Sequence, residues 1–202
     1  GEKIKYRPFL VKEQKTLMMA SESGDEKQIR DSLAGIIYSC TFEKVDPFTI
    51  PMFDVEFLFL RIRGKSVGEK IELNLLCPDD GETRVKTNLN LEDVGVNQKL
   101  GHTSEISITD KIKIIMNYPT LNDMVGMNGN ENAGFDEVID MMKRCIHEVH
   151  DGETVHTKID MSDSDLNEFI DSLSTEQFES LGEFFDTMPK VAHSIEVTNP
   201  KT

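Results

Sequence analysis

Apolar residues change their spacing twice along this chain, and the change limits the folds open to it more than any motif does. Ile71, Leu73 and Leu75 alternate with polar residues, as do Val85, Thr87, Leu89 and Leu91 beyond the turn "CPDDGE". Ile106, Ile108, Ile112, Ile114 and Met116 continue the alternation as one long strand or a strand pair, until Pro119. A period of two turns one side of a strand to a core and the other to water. On both flanks the apolar residues recur three and four apart, the spacing of a helix face. The chain therefore reads as α+β, with N-terminal helices, a central antiparallel β-ribbon or sheet and C-terminal helices. The parts are expected over residues 1–66, 67–120 and 121–202, packed as one or two compact domains.

Within the first part, Ile4 and Tyr6 suggest a short strand ended by Pro8. "FLVKEQKTLMMASES" has helical spacing at Leu10, Leu17 and Met18, and Gly24 stops it. Asp25 with Gln28 three residues on has the spacing of a capping box, opening a helix whose face carries Ile29, Leu33, Ile36, Ile37 and Cys40. Residues 51–63 form a helix with Pro51 in its first turn and Gly64 at its end. Its apolar residues fall into two stripes, Phe53/Phe57/Leu60 and Val55/Phe59/Ile62, edged by Asp54 and Arg61 on one side and Glu56 and Arg63 on the other. A helix with two apolar faces lies between layers or in an interface. Phe53, Phe57 and Leu60 are therefore candidate interface residues.

The stretch "RIRGKSVGE" contains Gly-Lys-Ser, the ending of a phosphate-binding loop. Phe59 stands where that loop needs glycine, and bulky residues fill the turn, so no phosphate cradle forms. The three residues read as a helix end, with Arg61, Arg63 and Lys65 at the negative pole of its dipole.

In the last part "VGMNGNENAG" is a loop by composition, expected to be mobile. "FDEVIDMMKRCIHEV" sets Phe135, Val138, Ile139, Met142, Ile146 and Val149 on one helical side, and a short strand around residues 155–159 follows. Ser162/Asp165 and Ser174/Gln177 are capping-box spacings for two further helices, "DLNEFIDSL" and "EQFESLGEFFDTM". Phe184 and Phe185 in the second are further candidate interface residues. "AHSIEVTNPKT" reads as the first half of a hairpin, so sequence beyond Thr202 is expected, and the opening Gly1 reads as a processed or trimmed end.

The 202 residues carry a formal net charge of −15. That argues against binding nucleic acid by phosphate neutralisation and against docking on anionic membranes. It suits solubility and contact with basic protein surfaces. Cys40, Cys77 and Cys145 are scattered and odd in number, which fits a reducing compartment and no disulfide framework. Along a helix, Cys145, His147 and His150 point in different directions and cannot share one ion. Cys77 lacks a second Cys, with Asp79 and Asp80 in its place. "DMSDSDLNEFID" resembles a calcium loop but has Asp165 where glycine is required and ends in Asp171 rather than Glu. Helix capping accounts for the same residues. No catalytic residue, cofactor or metal is expected.

Four segments taken together resemble one family. "KYRPFLVKEQKTLMMASESGD", "PMFDVEFLFLRIRGKSVGE", "LLCPDDGE" and "IEVTNPKT" are similar, in order and across nearly the whole chain, to the baseplate hub subunit and hub-assembly proteins of T-even-type myoviruses. The resemblance implies a non-enzymatic phage tail protein that helps assemble the central hub of the baseplate, as a chaperone ordering protein contacts. Its implied partners are other hub and tail-assembly proteins, with self-association a further expectation. Its implied setting is the cytoplasm of the infected bacterium. One rival expectation is a permanent structural subunit of the mature hub. The other is a metal-dependent hydrolase built on Cys145 and the histidines.

Overall fold

The computed structural model describes residues 3–124 and 134–202. The chain is α+β, and its elements follow the change of period. It divides into two compact units. The first comprises Gly1–Pro47, Phe53–Asn97 and Lys190–Thr202, the second Phe48–Met52 and Gln98–Pro189.

The first unit opens with α1 (Val11–Ser23) and α2 (Glu26–Cys40), which pack on each other. Gly24 ends α1 in the left-handed conformation, and Asp25 caps α2 by accepting from the backbone N–H groups of Lys27 and Gln28. Ala34, Ile36, Ile37 and Cys40 are the buried residues of α2. No strand forms at Ile4 and Tyr6, contrary to the alternation there. The Arg7 N–H instead donates to the Cys40 carbonyl, and its guanidinium pairs with Glu13 at 2.9 Å. Pro8 lacks the N–H that a ladder would use next.

α3 (Met52–Val67) is the expected two-striped helix, but it runs through Gly64. The stop is Gly68, at φ 106°, a conformation that only glycine adopts cheaply. Gly64 is buried in the helix, where an added Cβ would touch Leu91 and Glu69. β1 (Lys70–Leu76) and β2 (Arg84–Asn90) pair antiparallel, with Ile71 opposite Leu89, Leu73 opposite Thr87 and Leu75 opposite Val85. The alternation thus brings three expected apolar-side pairs into register.

β3 (Gly95–Asn97) pairs with β8 (Lys190–Ala192) and joins the end of the chain to this unit. The expected C-terminal hairpin is absent. The strand lies before "HSIEVTNPKT", and its partner lies 97 residues earlier, at Gly95 opposite Ala192, rather than in a returning arm.

The second unit holds a four-stranded antiparallel sheet in the order β4-β5-β6-β7. β4 (Glu105–Ser107) and β5 (Ile112–Met116) are the expected strand pair. α4 (Phe135–Cys145) is shorter than its apolar spacing suggests, because Ile146 begins β6 (Ile146–Asp151), paired to β5. Ile146 and Val149 satisfy a helix stripe and a strand interior alike; β-branching and pairing with β5 decide for the strand. β7 (Thr154–Thr157) closes the sheet.

The helices α5 (Asp163–Asp171) and α6 (Thr175–Thr187) begin at the two expected capping boxes. Ile106, Ile114, Met116, Met142, Ile146, Leu166, Ile170, Leu181 and Phe184 join in one buried cluster between sheet and helices. The glycine-rich loop from Val125 lies, up to residue 133, outside the described residues.

Candidate interaction surface

The positive signals for function lie in charge and in exposed apolar side chains. The second unit carries 19 Asp and Glu against 6 Lys and Arg, a net −13, whereas the first carries 18 against 16, a net −2. Almost the whole charge of the chain thus belongs to one unit. α5 and α6 contribute heavily, with Asp163, Asp165, Glu168, Asp171, Glu176, Glu179, Glu183 and Asp186. Ser162 holds the Asp165 carboxylate below its usual range by hydrogen bonding, so that group stays ionised well into acid.

The first unit, nearly balanced in charge, exposes apolar side chains of its own. Leu10, Val11, Met18 and Met19 on and beside α1 are exposed. A groove of about 660 Å³ runs between α1 and α2, lined in part by Met19, Ala20, Gly35 and Ile36. The exposure of Met18 departs from its place in the expected apolar spacing. α1 is anchored instead through Ala20 and Glu13, its two buried residues. Burial pushes the Glu13 carboxyl up, but the Arg7 guanidinium and the Leu10 N–H, which donates to it at 2.7 Å, hold it below its ordinary value. The sequence signal for this was available: Glu13 stands three residues after the residue preceding the helix, the N3 position of a cap.

The candidate interface residues separate into two groups. Phe53, Phe57, Leu60 and Phe185 are half-buried. The Arg61 guanidinium lies over the Phe57 ring, 4.6 Å from its centre. Arg61, which spacing sets beside Asp54, donates to the carbonyls of Leu91 and Val94 at 3.0 and 2.9 Å. Phe184 is 2% exposed and belongs to the core cluster, meeting Phe185 edge-on at 5.2 Å. Its burial corrects the expectation of a surface anchor. An amphipathic helix shows an apolar face equally for a core and for an interface.

The groups considered for chemistry lie apart. Cys145 is buried at the end of α4, and burial pushes its thiol up to about 12, while His147 and His150 stand on β6. His150 Nε2 is 2.7 Å from Glu148, a pairing of neighbours on one strand. Among the described residues no group of three His, Cys, Asp or Glu could hold a metal ion. Asp165 is spent on capping, and Asp160 accepts from the Thr157 hydroxyl at 2.7 Å. Lys65 reaches Glu69 at 2.7 Å beyond the last turns of α3, as its place at a helix end requires. No helix among the described residues is long and apolar enough to cross a membrane.

The family model described as T4 bacteriophage base plate protein matches residues 1–202. No curated protein and no solved structure matches the chain. The family match spans both units and takes in every element described above. The chain belongs to the T4 bacteriophage base plate protein family.

Proposed function

We propose that this baseplate protein acts in building the central hub of the phage tail, through protein–protein contacts and without making or breaking bonds. The observation that carries the reading is the division of charge, net −13 in one unit and −2 in the other. A concentrated negative field speeds encounter with basic surfaces and disfavours acidic ones. Affinity then comes from a few apolar anchors buried on contact. The exposed Leu10, Val11, Met18 and Met19 and the half-buried Phe57, Leu60 and Phe185 supply candidates for these. The partners in this reading are hub and tail-assembly proteins of the same phage, met in the cytoplasm of the infected cell. The protein acts there as a chaperone of assembly.

The test is an infection in which this coding sequence is silenced, followed by sedimentation of baseplate intermediates. The reading requires hub intermediates to be missing and to return when the protein is supplied. Normal hubs without the protein would end it. Mass spectrometry of finished particles then distinguishes a chaperone, absent from them, from a permanent subunit, present in them.

A further inference from the structure

We propose that the groove between the outer edge of β4 and helix α6 is a strand-addition site for an extended, basic segment of another baseplate protein. This rests on the reading above, that the protein works through protein contacts. β4 is the end strand in the order β4-β5-β6-β7, so one of its edges has no strand beside it among the described residues. Its register with β5 decides which backbone groups that edge displays. The Ile108 N–H donates to the Ile112 carbonyl at 2.9 Å, and the Met116 N–H donates to the Ser104 carbonyl at 2.8 Å. Residues 104, 106 and 108 therefore face β5, and Glu105 and Ser107 face outward. The Glu105 N–H is taken by the Thr103 hydroxyl at 3.1 Å. The Glu105 carbonyl and the Ser107 N–H and carbonyl have no protein hydrogen bond among the described residues. Such a row of groups is the template on which a further strand pairs.

The edge faces a formed groove of about 390 Å³, with Ser180, Glu183 and Thr187 of α6 along it. Both ends of the helix are tied beside the strand. Gln177 Nε2 donates to the Ile108 carbonyl at 3.2 Å, and Thr187 Oγ1 lies 3.0 Å from His102 Nδ1. α6 thus runs antiparallel to β4 and is held there before any partner arrives. Ile106 and Phe184, 9% and 2% exposed, also line the groove and give it an apolar floor. Leu100, fully exposed, offers an apolar contact at its rim.

Charge selects the occupant. The acids lining the groove are Glu183, which is exposed, and Glu105, which pairs with Lys113 across β4 and β5 at 2.6 Å. No Lys or Arg lines it, and the unit around it is net −13. A strand with cations at alternate positions meets that field, sets its other side chains toward Ile106 and Phe184, and takes up the three backbone groups.

The experiment uses the whole chain, isotope-labelled for NMR, with the acetylated peptide KVKVKT as probe and EVEVET as its charge-reversed control. The basic peptide should shift the amides of Ser107 and Glu105 and slow hydrogen exchange at Ser107, and the acidic one should do neither. Ser107→Pro deletes an N–H that the β4–β5 ladder does not use, so the sheet keeps its pairing while the peptide binds about tenfold more weakly. Glu183→Lys, at an exposed position, should weaken the basic peptide independently of any effect on β4. No binding, binding that both variants leave unchanged, or shifts confined to other surfaces overturns the site. Retention of baseplate proteins separates this from the wider reading. Equal retention by wild type and Ser107→Pro overturns the groove alone, loss only in the variant supports it, and no retention by wild type sinks both.

Discussion

Asn199 donates from its side-chain amide to both carboxylate oxygens of Asp79, at 2.9 and 3.0 Å, across 120 residues of sequence. The same amide reaches Asp80 at 3.1 Å, and the Thr202 hydroxyl donates to Asp79 at 2.6 Å. The end of the chain is thereby laid on the turn between β1 and β2. Asp80 organises that turn in its own right, accepting from the Thr83 hydroxyl and the backbone N–H groups of Glu82 and Thr83. These hydrogen bonds, that of the Thr83 hydroxyl foremost, lower its carboxyl far below the usual range.

Asn199→Ala should release the tail without unfolding the ribbon. The expected result is faster proteolysis of residues 193–202, with the amides of β1 and β2 still protected from exchange. Equal cleavage rates in both proteins would show that the tail is held by something else.

Burial ranks two substitutions in α3. Ile62 is fully buried, so Ile62→Ala should cost on the order of 2–5 kcal/mol. Phe57 is only half-buried and stacks under Arg61, so Phe57→Ala should cost less, although it removes more atoms. Urea denaturation of the two variants checks the order; a larger loss for Phe57→Ala would contradict the burial.

The elements legible in the sequence are those set by local chemistry. Ser162, Ser174 and Asp25 announced their helices because each cap is completed within three residues. The β1–β2 ribbon was legible because its alternation and its turn adjoin. What escaped depends on distant partners. Nothing local to residues 95–97 reveals β8 as their partner, and Ile146 becomes a strand residue only because β5 lies beside it. The interaction surface was half legible: net charge is additive and can be read from composition, whereas the core place of Phe184 and the exposed place of Met19 depend on packing.

His102 sets an acid limit on the second unit. Thr187 Oγ1 donates to the Glu183 carbonyl at 2.6 Å, so it accepts from His102 Nδ1–H and leaves Nε2 to accept from the Tyr118 hydroxyl at 3.1 Å. This arrangement needs the neutral ring, and burial lowers its pKa from the ordinary 6.5. A lowered folded-state pKa means that protonation favours the unfolded chain. The contribution is therefore complete above about 6.5 and is lost as pH falls through the lowered value. Denaturation midpoints at pH 8 and pH 5 should fall more for wild type than for His102→Asn; equal slopes would remove His102 from the account.

Cys40, Cys77 and Cys145 are all buried and free, and burial raises each thiol. Thiolate is the reactive form, so a disulfide reagent should label the native protein slowly and the urea-unfolded protein fast. Rapid labelling of one cysteine at neutral pH without denaturant would show that its site opens readily.

The measurement closest to the central claim is retention of hub proteins of the same phage on the purified, folded chain at low and high salt. Charges on the second unit act over roughly 8 Å at physiological ionic strength, so added salt should slow association while apolar anchors preserve part of the affinity. The account predicts hub proteins retained at low salt, with association slowing as salt rises. A folded chain that retains no hub protein at low salt would contradict it.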